Sequence, residues 1–135
     1  MNIVKKSEIL LNQCKVCTVA SVTQDGYPRI CVLTPLKNDG IKELWFSTGA
    51  SSNKVRHFKI NDKAGVTFYD GGDSLTLTGK MKIEQDKKIK DSLWRDSLAK
   101  HFPDGGKDDP EYCILHFTAE KATIYIQDEF VTTGL

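Results

Sequence analysis

The clearest pattern in the chain is an alternation of apolar and polar residues between positions 74 and 84. Leu75, Leu77, Gly79, Met81 and Ile83 alternate with hydroxyl-bearing and charged residues. Because side chains on a strand point alternately to its two faces, this pattern predicts a strand with one buried and one solvated face. Shorter segments rich in β-branched and aromatic residues predict further strands at 15–23, 27–36, 43–48, 63–70, 112–118 and 121–127.

Turn-forming residues separate several of these strands. Asp25-Gly26 and Asn38-Asp39-Gly40 each lie between two predicted strands, as do Gly71-Gly72-Asp73, and a last turn is predicted at Ala119-Glu120. Tight turns pair neighbouring strands antiparallel, so we predict an antiparallel sheet that closes into a barrel rather than a doubly wound parallel sheet. Amphipathic segments predict helices at 3–13, 52–60 and 87–100.

A candidate binding site lies in the stretch WFSTGASSNKVRHFKI, residues 45–60. It predicts a strand, a tight turn and a helix whose N-cap is Ser51 or Ser52. A helix start offers unpaired N–H groups and the positive end of the helix dipole, and Lys54 adds a cation. With the hydroxyls of Ser47 and Thr48, these groups would complete a phosphate site. Taken alone, the local sequence favours the simpler interpretation of a capped helix with a solvated lysine.

Composition narrows the choice of partners and compartment. The 135 residues fit one domain, which we assign to 1–135. With 19 basic and 18 acidic residues the net charge is +1, so we expect neither a nucleic-acid nor a membrane partner. No apolar run approaches the roughly 20 residues of a membrane span, and the N-terminus is too polar for a signal peptide. We therefore expect a cytoplasmic protein.

No strong catalytic or metal-binding motif accompanies the candidate anion site. Cys14 and Cys17 form a single CxxC without a second ligand pair, so we expect buried thiols and no metal site. The chain contains no GxGxxG after a strand and no GxxxxGK[ST], and its three histidines have no acidic partner at a fixed spacing. An anion cradle without a nucleophile or acid–base set favours a phosphate-bearing cofactor that brings its own reactivity.

Several segments, in this order and spacing, resemble the FMN-binding split-barrel superfamily of pyridoxamine 5′-phosphate oxidase, and within it the bacterial general-stress-protein branch. The resemblance covers about residues 5 to 127. It is carried by DGYPRICVLTPL (25–36), WFSTGASSNKVRHFKINDKAGVTFYD (45–70), SLTLTGKMKI (74–83), LW (93–94) and FPDGGKDDPEY (102–112). It implies a mainly β fold, an antiparallel Greek-key split barrel of six to seven strands with flanking helices.

The resemblance also implies a homodimer that holds FMN in a groove between its subunits. It assigns Ser52 and Lys54 to the phosphate, with Ser47 and Thr48 beside the phosphate or the ribityl chain. The oxidase has an arginine just before its phosphate lysine, where this chain has Asn53. The other cofactor-binding residues that we infer are Arg29, Ile30, Cys31, Val32 and Thr34 on the second strand, Ser51, Ser74 and Trp94.

These remaining residues have different implied roles. The segment Arg29 to Thr34 is where the family lays the isoalloxazine ring along backbone amides, and Arg29 is a candidate second cation for the phosphate. Ser74 stands where the oxidase has a glutamine that touches FMN. Trp94, with the loop 102–110, is assigned either to closure over the flavin of the partner subunit or to the core.

The resemblance leaves the activity open. The tail QDEFVTTGL has nothing like the arginine/histidine segment with which the oxidase holds its substrate, so we expect no pyridoxamine 5′-phosphate oxidation. The predicted function is that of an FMN-dependent oxidoreductase with an unidentified small substrate. The alternative is a stress-associated, non-catalytic binder or carrier of flavin or of another flat cofactor, such as haem or a deazaflavin.

Overall fold

A computed structural model describes all residues, 1–135, and contains one sheet of eight strands with three α-helices and two 3-10 helices. The helices are α1 (Ile3–Gln13), α2 (Asn53–Ile60) and α3 (Lys87–Leu93), and the 3-10 helices cover Asp96–His101 and Gly106–Asp108. The strands are β1 (Cys17–Val22), β2 (Pro28–Leu33), β3 (Pro35–Asp39), β4 (Glu43–Gly49), β5 (Lys63–Asp70), β6 (Asp73–Glu84), β7 (Tyr112–Ile126) and β8 (Glu129–Gly134).

The strand order requires the sheet to curl. Along the sheet the order is β2-β1-β5-β6-β7-β4-β3, every pairing is antiparallel, and β8 pairs with β7. The two end strands, β2 and β3, are nevertheless joined through Thr34 alone. Because a single residue spans only about 3.5 Å, the two edges must meet there. The sheet is therefore a barrel split between β2 and β3, which confirms the predicted mainly β, antiparallel split barrel with flanking helices.

Some predicted element boundaries are wrong. The predicted strand 27–36 is two strands, which separate at Thr34 where the chain crosses from one sheet edge to the other. The predicted strands 112–118 and 121–127 are one continuous strand, β7. At Ala119-Glu120 the chain forms a bulge opposite Gly79 instead of a turn, so pairing with β6 continues on both sides.

Two further differences lie near the C-terminus and after β6. Strand β8 was not predicted, and it makes the count eight instead of six to seven. It follows a tight turn in which Gln127 and Asp128 have φ angles of 50° and 65°, a conformation that usually selects Asn or Gly. The predicted helix 87–100 ends at Leu93, and Asp96–His101 continues as a 3-10 helix.

The barrel interior is the main core. The alternation along β6 places Leu75, Leu77 and Met81 inside, where all three are buried. Helix α1 covers one opening with Leu10 and Leu11, as its apolar face predicts. Helix α2 packs through Val55 and Phe58. None of the helices combines the length and apolar character that crossing a bilayer requires.

A smaller core lies on the outer side of the sheet. Leu36, Phe102, Tyr112 and Ile114 form it, and Trp45, Leu93, Trp94 and Leu98 pack against it. Because this cluster fastens the segment 93–102 onto the first half of β7, the segment stands beside the split in the barrel.

Gly79 offers a test of the continuous β7 strand. A Cβ at this position would lie 2.1 Å from the Thr118 carbonyl oxygen and 2.9 Å from Ala119 Cα, so the backbone would have to move. We expect Gly79→Ala to lower the free energy of unfolding by about 2–4 kcal/mol in urea denaturation. At Gly65 the nearest atoms are 3.8 Å away, and Gly65→Ala, as the control, should cost less than about 1 kcal/mol. Equal effects of the two variants would contradict the bulge.

Candidate functional site

A cleft of about 810 Å³ opens at the split, where the edges of the sheet separate. Its volume is within the range of roughly 300–1,000 Å³ that is usual for small-molecule sites. One side is formed by the β2–β3 junction and by the end of β4 with the turn that follows. The other side is formed by the 3-10 helix Asp96–His101 and the residues that flank it. The lining residues are Val32, Leu33, Thr34, Leu36, Ser47, Thr48, Gly49, Ser51, Arg95, Ser97, Leu98, Lys100, His101, Phe102 and Glu111.

The turn between β4 and α2 concentrates donors at one end of this cleft. Ser52 is the N-cap of α2, and its Oγ accepts from the Val55 amide at 3.4 Å. Lys54 Nζ donates to Thr48 Oγ1 at 3.1 Å, and the hydroxyls of Thr48 and Ser52 are 3.4 Å apart. An ammonium has three N–H donors, so Lys54 is held in place with donors to spare. The amides of Asn53 and Lys54 lie in the first turn, where N–H groups have no partner within the helix.

Ser51 has a different partner from its neighbours. Its backbone N–H and its hydroxyl both donate to Glu111 Oε2, at 2.9 and 3.1 Å. The Ala50 amide donates to the Glu111 carbonyl oxygen at 2.9 Å. Gly49 makes room for this carboxylate, since a Cβ there would stand 3.3 Å from Oε2. The turn is therefore fastened to the residue that precedes β7.

Glu111 is itself held by a buried carboxylate. Asp109 is 3% exposed, and its Oδ1 and Oδ2 accept from the amides of Glu111 and Asp104, both at 2.9 Å. The Asp109 carbonyl oxygen also accepts from the Tyr112 amide at 3.0 Å. These bonds fold the polar loop 102–111 onto itself beside the cleft.

Arg29 has a cationic group without a partner. It lies opposite Ser21 in the β1–β2 pair, so the two side chains are on the same face of the sheet. The Ser21 hydroxyl is 3.1 Å from Nδ1 of His57 on α2, which places this face against the helix. Arg29 Nη1 is buried and makes no hydrogen bond. A buried, unpaired guanidinium N–H is costly, so an acceptor is expected at this place.

The opposite wall of the cleft is the segment around the 3-10 helix. The Trp94 ring packs edge-on against Tyr112, with ring centroids 5.1 Å apart, and lies 6.3 Å from Phe102. The Arg95 guanidinium donates to the Leu36 carbonyl oxygen. Burial raises the pKa of Tyr112 to about 12, and its hydroxyl donates to the Lys90 carbonyl oxygen at 2.7 Å. These contacts fix the position of this wall relative to the sheet.

The sequence matches a known family. A sequence model of the pyridoxamine 5′-phosphate oxidase family matches residues 3–125. The chain belongs to the pyridoxamine 5′-phosphate oxidase family. General stress protein 26 of Bacillus subtilis is 29% identical over 116 residues, which cover 82% of this chain and 79% of that protein. The family and the general-stress-protein branch predicted from the sequence are confirmed.

Solved structures give the same result for the fold. A protein related to general stress protein 26 from Clostridium acetobutylicum is 33% identical, with a TM-score of 0.88, and the match covers 98% of this chain and 94% of that one. A heme-binding protein from Mycobacterium smegmatis has a TM-score of 0.81 at 12% identity, over 99% of this chain and 58% of that one. The second likeness shows a shared fold alone.

Within this member of the pyridoxamine 5′-phosphate oxidase family, the structure brings most of the sequence-predicted residues to one place. Thr48 is buried at the base of the cleft, and Ser52 and Lys54 each form a hydrogen bond with its hydroxyl. Asn53 is the exposed first residue of α2. The residues that line the cleft directly are Val32, Thr34, Ser47, Thr48 and Ser51.

Other predicted residues lie elsewhere. Ile30 is on the exposed outer face of β2, whereas Cys31 points inward and packs against the barrel core. Ser74, on β6, lies opposite Tyr69 and Tyr125 and does not line the cleft. Trp94 also does not line the cleft of its own chain, because its ring packs into the outer core.

The cysteines are not gathered into a metal site. The chain contains no group of three or more His, Cys, Asp and Glu side chains that could hold a metal ion. Cys17 is 4% exposed, and burial raises the pKa of its thiol to about 12. The thiol therefore stays protonated at neutral pH and packs as a small apolar group.

Sequence reasoning missed one side of the cleft. Arg95 and Lys100 were not identified because their segment was predicted as a continuous helix with an apolar face. His101, which follows that helix, was set aside because it has no acidic partner at a fixed spacing. In a 3-10 helix, residues three apart align. The three basic side chains therefore lie on two ridges that face the cleft, whereas Asp96 lies on the third. Glu111 was missed because only the β4–β7 pairing brings it beside Ser51.

Asp109 can be tested as the residue that holds the loop. We expect Asp109→Ala to lower the free energy of unfolding by about 2–3 kcal/mol in urea, because the amides of Asp104 and Glu111 would lose their acceptor. The control is Asp104→Ala, since the Asp104 side chain is exposed and accepts no hydrogen bond. A loss for Asp109→Ala no larger than that of the control would contradict this role.

Proposed function

We propose that the protein binds FMN in the cleft as a homodimer and acts as an FMN-dependent oxidoreductase on a small substrate. The observation that carries this proposal is the buried, unpartnered Nη1 of Arg29 on the sheet face that packs against α2. Arg29 does not itself line the cleft. Its face of the sheet meets α2, and we expect it to act together with the ammonium of Lys54 and the first-turn amides of that helix on a phosphate.

The residues present fit the phosphate of such a cofactor. Ser52, Thr48 and Lys54 already form one hydrogen-bonded group, with donor capacity left over. Asn53 removes the local arginine of the oxidase, and Arg29 would supply the second positive charge from β2. Ser51 contributes less than the sequence suggested, since Glu111 engages both its amide and its hydroxyl.

The rest of the cleft suits a flat, amphipathic ring system. Val32 and Leu33 at the end of β2 face Leu98 and Phe102 across it, and Thr34 and Ser47 add polar atoms. Apolar walls with a few polar groups are typical of cofactor sites. Bound FMN would supply hydride or electron transfer, whereas this chain would bind, orient and shield it.

The homodimer is supported by apolar exposure next to the cleft. Ile30 and Val32 are each 65% exposed on β2, an edge strand, and Val32 also lines the cleft. A partner seated on this strand would bury both side chains and complete the wall of the cleft.

The neighbouring sheet surface also suits self-association. The strand register continues from Val32 through Thr18, Thr67, Thr76 and Thr123, a row without charge across five strands. Under a two-fold axis, an uncharged row meets its own copy without like-charge repulsion.

The alternative function is that of a non-catalytic binder or carrier of a flat cofactor. Haem is the specific alternative, because His101 is the one histidine that lines the cleft and a protein of the same fold is a heme-binding protein. Deazaflavin needs the same cleft as FMN. The absence of pyridoxamine 5′-phosphate oxidation and the cytoplasmic location stay predictions from the sequence.

Cofactor binding can be tested by flavin fluorescence titration of the purified protein. We expect FMN to bind with quenching, and Lys54→Ala or Arg29→Gln to weaken it about 10- to 100-fold, because each removes a charge-assisted hydrogen bond. Lys59→Ala is the matched control, since Lys59 lies in the last turn of the same helix. No FMN binding by wild type at tens of micromolar, with a Soret shift on haemin addition, would favour the haem alternative instead.

The homodimer can be tested by sedimentation velocity. We expect wild type to sediment as a dimer at micromolar concentration, and Ile30→Lys to raise the dimer dissociation constant at least about 10-fold by placing a charge in the interface. Ile9→Lys changes an apolar residue that is 45% exposed on α1, and should leave the dimer intact. A monomeric wild type, or the same shift for both variants, would contradict the proposal.

A further inference from the structure

We propose that Glu111 is a resident anion of the cleft, which sets how strongly the turn Gly49–Ser52 favours a phosphate-bearing ligand over an uncharged one. The proposal rests on the FMN site described above, and it assigns to Glu111 a role in discriminating between ligands. The negative charge of Glu111 thus limits how strongly the turn prefers a phosphate-bearing ligand.

The carboxylate occupies donors that a phosphate would otherwise use. Glu111 Oε2 accepts from the Ser51 amide at 2.9 Å and from the Ser51 hydroxyl at 3.1 Å. A backbone N–H and a hydroxyl at the start of a helix are groups that commonly hold phosphate oxygens. An internal anion thus sits where part of an external anion would bind.

This position of Glu111 is built into the fold. Its backbone is held from both sides, because its amide donates to Asp109 at 2.9 Å and its carbonyl oxygen accepts from the Ala50 amide at 2.9 Å. The missing side chain of Gly49 leaves room for Oε2, at 3.3 Å from where a Cβ would be. Two backbone hydrogen bonds and the space at Gly49 therefore direct the carboxylate to the turn, although the residue itself is exposed.

The charge of Glu111 is not neutralised by a cation. Its carboxylate takes part in none of the ion pairs of the chain. The basic residues that line the cleft, Arg95, Lys100 and His101, belong to the opposite wall. Glu111 accepts a hydrogen bond from Ser51, the residue next to the N-cap Ser52, and consecutive Cα atoms are about 3.8 Å apart. This separation is well inside a Debye length of about 8 Å, so salt screens the interaction between the carboxylate and the helix start only in part. Its negative charge therefore opposes part of the attraction that Lys54 exerts on a phosphate.

The charge of Glu111 would change the binding of the phosphate and leave the binding of the isoalloxazine ring nearly unchanged. FMN and riboflavin share the isoalloxazine and ribityl groups, and only FMN has the phosphate. If Glu111 only fastened the turn, its loss would weaken FMN binding, since the turn contacts the phosphate, whereas loss of an opposing charge would strengthen FMN binding. The direction in which the ratio of FMN to riboflavin affinity changes therefore separates electrostatic discrimination from a purely structural contribution.

The experiment compares Glu111→Gln with wild type in titrations with FMN and with riboflavin. The carboxamide oxygen can still accept from Ser51, so the turn keeps its shape while the charge is lost. We expect Kd for FMN to fall about 3- to 10-fold and Kd for riboflavin to change less than about twofold. High salt should shrink the gain in FMN affinity.

Glu120→Gln is the matched control, because it removes the same charge from an exposed residue at the bulge of β7 that does not line this cleft. We expect it to leave both affinities unchanged. A ratio of FMN to riboflavin affinity that is unchanged or lower in Glu111→Gln than in wild type would overturn the proposal.

A second measurement keeps the inference testable if no flavin binds, a result that would count against the proposed function alone. Inorganic phosphate is titrated into the ¹⁵N-labelled full chain, and the amide shifts of residues 51–54 are followed by NMR. Glu111→Gln should reach half-saturation at a phosphate concentration about 3- to 10-fold below that of wild type. Equal phosphate affinities would overturn the role of Glu111. Glu111→Ala, tested in the same way, covers the case in which the Gln variant fails to fold.

Discussion

The single-residue connection at Thr34 constrains the rest of this structure. Strands β2 and β3 are the two ends of the sheet path, yet only Thr34 separates them in the chain. A flat or gently twisted sheet would hold these ends several strand spacings of about 4.8 Å apart, so the link forces closure. Since the two strands pair with β1 and β4 and not with each other, closure leaves a split. The cleft is the space that this split creates.

The antiparallel pairing of β4 with β7 then supplies the chemistry of the cleft. It places Gly49 opposite Tyr112, so the turn that follows β4 meets the loop that precedes β7. The turn brings the donors of Ser52 and Lys54, and the loop brings the acceptor Glu111. Neither segment would form a site alone, because each consists of a few polar residues at the end of a strand. The site depends on long-range strand register more than on any local motif.

The parts of the fold that follow local rules could be predicted from the sequence. The alternation along β6, the apolar face of α1 and the serine cap of α2 each depend on neighbouring residues only. The parts that failed depend on distant partners. The bulge at Ala119-Glu120 exists because Gly79 on another strand admits it, and without that partner a small residue beside a charged one indicates a turn. The turn before β8 uses Gln127 at a positive φ, a residue type that gives no turn signal.

The same distinction explains the candidate site. Lys54, Ser52 and Thr48 were identified because strand, cap and lysine are contiguous, whereas Glu111 lies 60 residues from the Ser51 hydroxyl that it accepts from. The charges of the proposed phosphate site therefore come from three separate parts of the chain: Lys54 on α2, Arg29 on β2 and Glu111 before β7. Such an arrangement would let a phosphate affinity be altered by a change in one element while the barrel stays the same. The consequence of Asn53, which stands where the oxidase has an arginine, therefore depends on the charges that the other elements supply. Under the proposed function, the balance between the cations Lys54 and Arg29 and the carboxylate of Glu111 would decide how much positive charge a phosphate meets at the start of α2.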